Sequence, residues 1–370
     1  AYAVDNVQID GYAVYTNNPP CGAMRGFGAV QSCYAIESSM DRLAAALGID
    51  PIELRIANAI GEGDLLPTGQ PVDGPAPVRE ILDHLRKLPL PPTNEADSAD
   101  IRTLPGGVGN STHGEGIRRG VGYALGMKAI GFSGGVDDYS TARVSLSVVG
   151  TVPMVEVYSA ASEMGQGITT VMAQIARTEL GVDEVVLHPA DTGIGDAGSS
   201  SASRQTWMTG GAVKRACELV RDQVFARAAQ HHGGTTADYT LDDGAVTDRT
   251  GSAVTTLAAL LGSDTLEATH EYHHRPTEPI DDERGQGNAH IAFAYAAHRA
   301  VVDVDVDLGL VRVVELATAQ DVGTAINPIS IEGQIHGGTA HGLGLAVLEE
   351  LQIENGIVKN PSFMDYLIPT

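Results

Sequence analysis

Aromatic residues make up only 5% of this 370-residue chain, and there is a single tryptophan. Glycine, by contrast, occurs 44 times, so tight turns and close backbone approaches must carry much of the architecture. The three cysteines, Cys21, Cys33 and Cys217, are far apart and form no Cys-x-x-Cys pair. That spacing excludes a disulfide framework, a zinc site of usual spacing and an iron–sulfur cluster within the chain. It fits a reducing cytoplasm with buried thiols. No apolar run approaches the ~20 residues of a bilayer span, which argues against a membrane span. Basic residues are scarce as well: 23 Lys and Arg face 47 Asp and Glu, a formal charge of -24. Such a surface repels phosphate backbones and argues against a nucleic-acid binder.

The length suggests about two or three domains. Residues 1–18 read as extended, followed by a break at Asn17-Asn18-Pro19-Pro20 and a loop containing Gly22, Gly26 and Gly28. Helical spacing then runs from Val30 to Leu47, and a second helix from Pro51 to Ile60. A polar, Pro- and Gly-rich stretch across 88–116 marks a boundary. Beyond it, 121–130, 142–149 and 154–160 read as strands, 169–180 and about 211–229 as helices. The segment 233–264 reads as irregular and peripheral. Strands follow over 291–306 and 310–317, with Val302, Val304 and Val306 alternating against Asp303, Asp305 and Asp307 as a wet face. A Gly-rich helix starts at Asn327-Pro328, and Asn355-Gly356 forms the turn of a terminal hairpin. The mixture is α/β or α+β, with α+β the expected fold class.

Several motifs could carry chemistry. Gly131-Phe-Ser-Gly-Gly135 matches the G-x-S-x-G of serine hydrolases, but the following residues read as a strand, and the nucleophile elbow needs a helix there. The histidines do not share a face with acids at metal-binding spacing: His336 and His341 are five apart, and His273 and His274 point opposite ways on a strand. Arg25, between small residues in Ala23-Met-Arg-Gly-Phe-Gly28, is placed to meet an anion or to form an ordinary surface salt bridge. Glu163-Met-Gly-Gln-Gly167 precedes a helix, where free amides make either an anion site or a simple Gly-rich helix entry. Gly198-Ser-Ser-Ser-Ala-Ser-Arg-Gln-Thr206 holds five hydroxyls, more than one helix cap requires. The glycines of Gly333-Gln-Ile-His-Gly-Gly338 and Gly342-Leu-Gly344 each cost about 1 kcal/mol in a helix, so something must press on that backbone.

In this order, together with Asp321-Val-Gly-Thr-Ala-Ile-Asn-Pro328, these motifs resemble the molybdopterin-binding large subunit of the xanthine dehydrogenase and aldehyde oxidase family, with greatest likeness to the large subunits of bacterial xanthine dehydrogenases. The likeness covers nearly the whole chain and is faintest across 88–116 and 233–265. It implies two elongated mixed α/β molybdopterin-binding domains: residues 1–95 as part of the first, 96–116 as linker, 117–370 as the second, incomplete at its C-terminus. In that family a pterin dithiolene holds the molybdenum, so no side chain ligates the metal. The resemblance places Gly165, Gln166, Gly167, Ala202, Ser203 and Gln334 against the cofactor, in its cytosine dinucleotide form. Arg25 matches the family arginine below the molybdenum site, with a catalytic and substrate-binding role. Phe27 and Phe132 match aromatics that stack on a flat ring, and Ser133 a hydroxyl that orients it. Met24 stands where many relatives have another aromatic.

The implied reaction is water-derived hydroxylation of a purine ring carbon, as in xanthine or hypoxanthine dehydrogenases. Electrons then leave through 2Fe-2S clusters to FAD on partner chains or domains. An aldehyde or another N-heterocycle such as nicotinate is the alternative substrate; a non-catalytic scaffold is the alternative of another class. The family's base glutamate lies in a Gly-Val-Gly-Glu motif expected beyond Thr370. Both ends of the chain read as cuts within a longer polypeptide, so the expected partners are the rest of the molybdenum subunit, a 2Fe-2S subunit and an FAD subunit, in the cytoplasm.

Overall fold

The structure is a computed structural model that describes residues 1–18, 22–92 and 116–369. Cys21, most of the expected linker at 96–116 and Thr370 lie outside the described residues. Two cores organise the rest.

The first core joins N-terminal helices to a three-stranded antiparallel sheet. The helices are α1 (Ala29–Leu47), α2 (Pro51–Asn58) and α3 (Val78–Lys87). The strands are β1 (Ile117–Ile130), β9 (Ala292–Asp305) and β10 (Leu310–Asp321), with β9 central. Asp50 starts α2 by accepting from the Ile52 and Glu53 amides, with Pro51 at the first helical position. Helix α3 is not among the elements expected from the sequence, although Val78, Ile81, Leu82 and Leu85 follow helical spacing and are all buried. Those side chains meet Ile52, Ile60, Leu125, Tyr295 and Ala297 in one cluster. Residues on both sides of 96–116 therefore pack together. Beneath α1, the fully buried Arg55 donates to Glu37 at 2.8 Å, which also accepts from the Tyr2 hydroxyl at 2.7 Å.

The second core lies under a sheet of order β4-β3-β2-β8. Its strands are β2 (Tyr139–Val149), β3 (Val152–Ser159), β4 (Val185–Leu187) and β8 (Leu266–His273). Helices α4 (Ile168–Leu180) and α5 (Gln205–His232) cover one face, where Val144, Leu146, Val155, Met172, Leu180, Val213, Val220 and Val224 are buried. Cys217 is buried here, and burial pushes its thiol up to about 12. Cys33 is half-buried against β1.

Two expectations are corrected. Residues 233–264 are not irregular: they form a small sheet, β5 (Tyr239–Asp242), β6 (Ala245–Asp248) and β7 (Ala253–Thr256), and a short helix α6 (Leu257–Leu261). Tyr239, Val246, Leu257, Leu260 and Leu261 from this segment complete the second core. On β9 the alternation is real but the faces are exchanged. Asp303 and Asp305 are buried, while Val306 is exposed. Burial is tolerated because Asp303 accepts from Arg119 at 2.8 and 2.9 Å and from Arg312 at 2.9 Å. The Asp305 carboxylate caps the following turn through the Asp307 and Leu308 amides.

The chain crosses from the first core to the second through residues 131–138 and returns through 274–291. After β10 it enters α7 (Pro328–Val347), capped by the Asn327 side chain on the Ser330 amide. It ends in the hairpin β11 (Ile353–Glu354) and β12 (Ile357–Val358) around Asn355-Gly356. No helix among the described residues is long and apolar enough to cross a membrane.

Replacing Asp303 by Ala leaves two arginines facing a dry carboxylate-sized gap. The expected cost is about 2–4 kcal/mol, read as a lower denaturant midpoint. The arginines hold the Asp303 carboxyl below its usual range. Its contribution is therefore present above the ordinary aspartate pKa and lost as pH falls through the depressed one. The wild-type advantage over Asp303→Ala should shrink in acid.

Candidate functional site

Five loop and helix segments, spread over more than 300 residues of sequence, adjoin one another in series. Arg25 Nη2 donates to Gln334 Oε1 on α7 at 2.9 Å. The same guanidinium lies over Gly337 and Gly338, where a Cβ would come within 3.7 and 3.5 Å of it. One turn earlier on α7, Ser330 Oγ lies 4.0 Å from where a Gly167 Cβ would stand. The loop ending at Gly167 meets the Ser-rich loop through the Ser200 hydroxyl, which donates to the Ser162 carbonyl at 3.4 Å. The Ser-rich loop then meets the β1–β2 crossover, because the Gly131 amide donates to the Ala202 carbonyl at 2.8 Å.

Three residues of these segments lie on strained backbone. Phe27, Ala202 and Ser203 have φ of 46°, 52° and 53°, a left-handed region that non-glycine residues leave unless the surroundings hold them there. Phe27 is 76% exposed on its turn. Phe132, half-buried, sits instead beside Arg204, whose guanidinium carbon is 5.4 Å from the ring centroid.

Arg204 is the residue that the sequence did not reveal. It is 1% exposed and spends all five N–H groups. Nε and Nη2 donate to the two Asp138 oxygens at 2.8 and 2.6 Å, Nη2 also to the Tyr139 carbonyl at 2.8 Å, and Nη1 to the Ala197 and Ser199 carbonyls at 2.5 and 3.1 Å. Gly198 is required there: a Cβ would stand 2.7 Å from the Arg204 guanidinium, and φ is 62°. Gln205 adds its side-chain amide to the Ala197 and Ser199 carbonyls. Held from inside by these two residues, the loop needs no hydroxyl to cap α5, and none does so. Ser199, Ser201 and Ser203 are left exposed.

The Glu163–Gly167 loop corrects the expectation of free amides at a helix start. The Glu163 carboxylate accepts from the amides of Gly165, Gly167 and Thr169 at 2.7, 3.0 and 3.0 Å, and from the Thr169 hydroxyl at 3.0 Å. The chain thus supplies its own anion at the α4 N-terminus. Gln166 also turns inward, accepting from the Met164 amide at 2.5 Å and donating to the Ser162 carbonyl at 2.8 Å. One of its N–H hydrogens is left for another partner.

The glycines of α7 divide into two kinds. A Cβ at Gly344 would lie 2.9 Å from Pro369 Cδ and closer still to the Glu349 carboxylate, so the chain itself presses there. At Gly333 and Gly342 nothing among the described residues lies within 4 Å. Both positions leave bare backbone open to a neighbour, Gly333 next to Gln334 and Gly342 on the opposite face of the helix.

The hydrolase reading of Ser133 is excluded by local structure: the crossover runs from β1 into strand β2, with no helix behind the serine. Among the described residues, no group of three or more His, Cys, Asp or Glu side chains is arranged to hold a metal ion.

Partial burial raises the Glu163 pKa, but the amides of Gly167, Thr169 and Gly165 and the Thr169 hydroxyl outweigh it and bring the value down to about 2. Its contribution is complete above the ordinary glutamate pKa and is lost as pH falls from about 4.5 toward 2. Hydrogen exchange over residues 163–169 should accelerate in Glu163→Gln at neutral pH. Below pH 4 the wild-type protein should approach the variant.

Residues 1–59 and 96–370 each match the molybdopterin cofactor-binding domain family. A xanthine dehydrogenase molybdenum-binding subunit of Escherichia coli O157:H7 is 33% identical, over 96% of this chain and 46% of its own length. An aldehyde oxidoreductase of Megalodesulfovibrio gigas is 31% identical, over 95% of this chain and 35% of its own length. The crystal structure of quinoline 2-oxidoreductase from Pseudomonas putida 86 superposes with a TM-score of 0.76 at 26% identity, covering 95% of this chain and 44% of that one. The chain spans less than half the length of these relatives. It belongs to the molybdopterin cofactor-binding domain family of the molybdenum hydroxylases.

Proposed function

We propose that this chain is part of the molybdenum-cofactor component of a purine hydroxylase, an oxidoreductase acting on hypoxanthine or xanthine. The observation that carries the reading is the succession of adjoining segments from Arg25 through Gln334 and Ser330 to Gly167, and from Ser162 and Ser200 to Ala202 and Gly131. The motifs around these residues are those on which the family resemblance rests, and likeness to a xanthine dehydrogenase molybdenum-binding subunit extends over 96% of the chain.

The donor set fits a pterin with a pyrophosphate. Exposed hydroxyls of Ser199, Ser201 and Ser203, the spare N–H of Gln166 and the Gln334 amide suit the heteroatoms and anionic oxygens of such a group. The open backbone at Gly333, next to Gln334, admits a close neighbour. Gly165, Gln166, Gly167, Ala202, Ser203 and Gln334 would hold the cofactor, in the cytosine dinucleotide form usual among bacterial members. When bound, it supplies a two-electron oxidation that draws its oxygen from water.

The chain's own residues do the rest. Phe27 and Phe132 present flat faces to a purine, Ser133 bonds a ring heteroatom, and Arg25 brings a fixed positive charge beside Gln334. Residues 1–95 and 117–370 contribute to two cofactor-binding domains. The remaining part of the molybdenum subunit supplies the base glutamate, and 2Fe-2S and FAD partners in the cytoplasm take the electrons. A second reading is hydroxylation of another N-heterocycle, favoured by the superposition on quinoline 2-oxidoreductase.

The test compares the chain alone with its complex on xanthine, hypoxanthine, quinoline, nicotinate and an aldehyde, using a dye acceptor in water enriched in heavy oxygen. The expected outcome is no turnover by the chain alone, and a complex whose kcat/KM for a purine exceeds the others by about tenfold or more. A higher kcat/KM for quinoline would establish the second reading instead.

A further inference from the structure

The return strip 274–291, which carries none of the motifs above, grips the Phe132–Ser133 turn along its length. The Gly134 amide donates to the Ala289 carbonyl at 2.9 Å, and the Gly135 amide to the Thr277 hydroxyl at 3.0 Å. Ile291 fills the space beside Gly131, where a Cβ would stand 2.4 Å from its Cδ1. Pro279 closes on Gly135, leaving 3.1 Å to a Cβ placed there. Residues 131 and 134–135 are thus fixed on both sides of Phe132 and Ser133.

The strip takes its own position from the first core, through a loop that closes on itself. Gly63 donates to the Val72 carbonyl, Val72 to Asp64 and Leu66 to Gln70, at 2.9, 2.9 and 2.8 Å, so residues 63–72 form a tight hairpin-like turn. At its tip the Gln70 side chain is 1% exposed. Its Nε2 donates to the His290 carbonyl at 2.8 Å, and its Oε1 accepts from the His290 amide at 2.9 Å. A side-chain amide here pairs with a backbone unit in both directions, as a neighbouring strand would. Alongside it, Gly287 donates to the Thr68 carbonyl at 2.9 Å and Gln286 to the Pro67 carbonyl at 3.0 Å. Arg275 joins Asp73 at 3.0 Å to the His290 carbonyl at 2.8 Å.

We propose that Gln70 is a positioning residue for substrate: through the paired bonds to His290 it sets where Ala289 and Ile291 hold the Phe132–Ser133 turn, and so where a flat substrate ring is received. This rests on the reading of Phe132 and Ser133 given under Proposed function. Gln70 spends its side-chain amide on the His290 backbone and is assigned no contact with substrate or cofactor. It acts one residue away, because Ala289 and Ile291 flank the residue that it grips. Removing its amide leaves the half-buried His290 N–H without this acceptor and frees the strip to shift relative to the turn.

The test uses the full complex carrying Gln70→Met, with Thr277→Val as a second variant that loosens the same turn from its other side and spares the buried amide. Hydrogen exchange by mass spectrometry should show residues 131–135 and 287–291 exchanging about tenfold faster in Gln70→Met. Thr277→Val should accelerate 131–135 alone. Both should raise the KM for the purine about fivefold while kcat stays within about twofold, the signature of lost binding common to ground and transition states. Molybdenum and pterin content should be unchanged. Unaltered exchange at 131–135 in Gln70→Met, whatever Thr277→Val shows, would overturn the positioning role. Faster exchange with an unaltered KM would leave the restraint in place and remove the substrate role of Phe132 and Ser133, a failure of the functional reading. Should Gln70→Met not assemble, Gln70→Glu, which keeps an acceptor for the His290 amide and removes only the donor to its carbonyl, is read by the same criteria.

Discussion

A guanidinium carried into a dry interior has to be answered bond for bond, and Arg204 imposes that constraint on the centre of this molecule. Its five N–H groups find two carboxylate oxygens of Asp138 and the carbonyls of Tyr139, Ala197 and Ser199. The β1–β2 crossover, the first residue of β2 and the Ser-rich loop must therefore converge at one point. Losing one partner of a pair this deep costs about 3–5 kcal/mol, far more than a surface ion pair is worth. Once they have converged, the strained φ of Ala202 and Ser203 can be held, because Gly131 bonds the Ala202 carbonyl and Arg204 anchors the next residue. Exposed serine hydroxyls follow from the same economy: α5 is entered without a side-chain cap, so the hydroxyls are not consumed by it.

Glu163 solves a related problem at the neighbouring helix. A Gly-rich entry to α4 presents several amides and the positive end of a helix dipole, which suits a foreign anion. Here a carboxylate of the same chain takes three of those amides and a hydroxyl. The loop is thereby made rigid without an external ligand, and it meets α7 and the Ser-rich loop as a preformed surface. Preorganisation of this kind lowers the ordering cost when a large group is bound.

Much of the architecture can be read from local patterning. Helix α4 begins and ends within a residue of its expected bounds, α7 starts where Asn327-Pro328 said it should, and Asn355-Gly356 turns the last hairpin. These features depend on neighbours in sequence: a cap, a proline at the first helical position, glycines that accept positive φ. The motif series identifies the family, matched by models covering 1–59 and 96–370. The misreadings share a cause. Asp303 looked solvent-facing because its partner Arg119 is 184 residues away. Residues 233–264 looked peripheral because Leu257, Leu260 and Leu261 are few among polar neighbours, yet one short helix is enough to bring all three into the second core.

By itself, then, the order of residues determined most of the elements and the motifs at their loops, since each depends on contacts within a few positions along the chain; several bounds, such as the start of α5 at Gln205 where 211 was expected, it did not. Tertiary structure alone decided which face of β9 is dry, that Glu163 turns on its own amides, that Arg204 is the lock, and that Gln70 reaches His290 across 220 residues. Those outcomes turn on how buried charges and amides find partners far away in sequence. Periodicity reports the spacing of side chains, not the identity of what they meet.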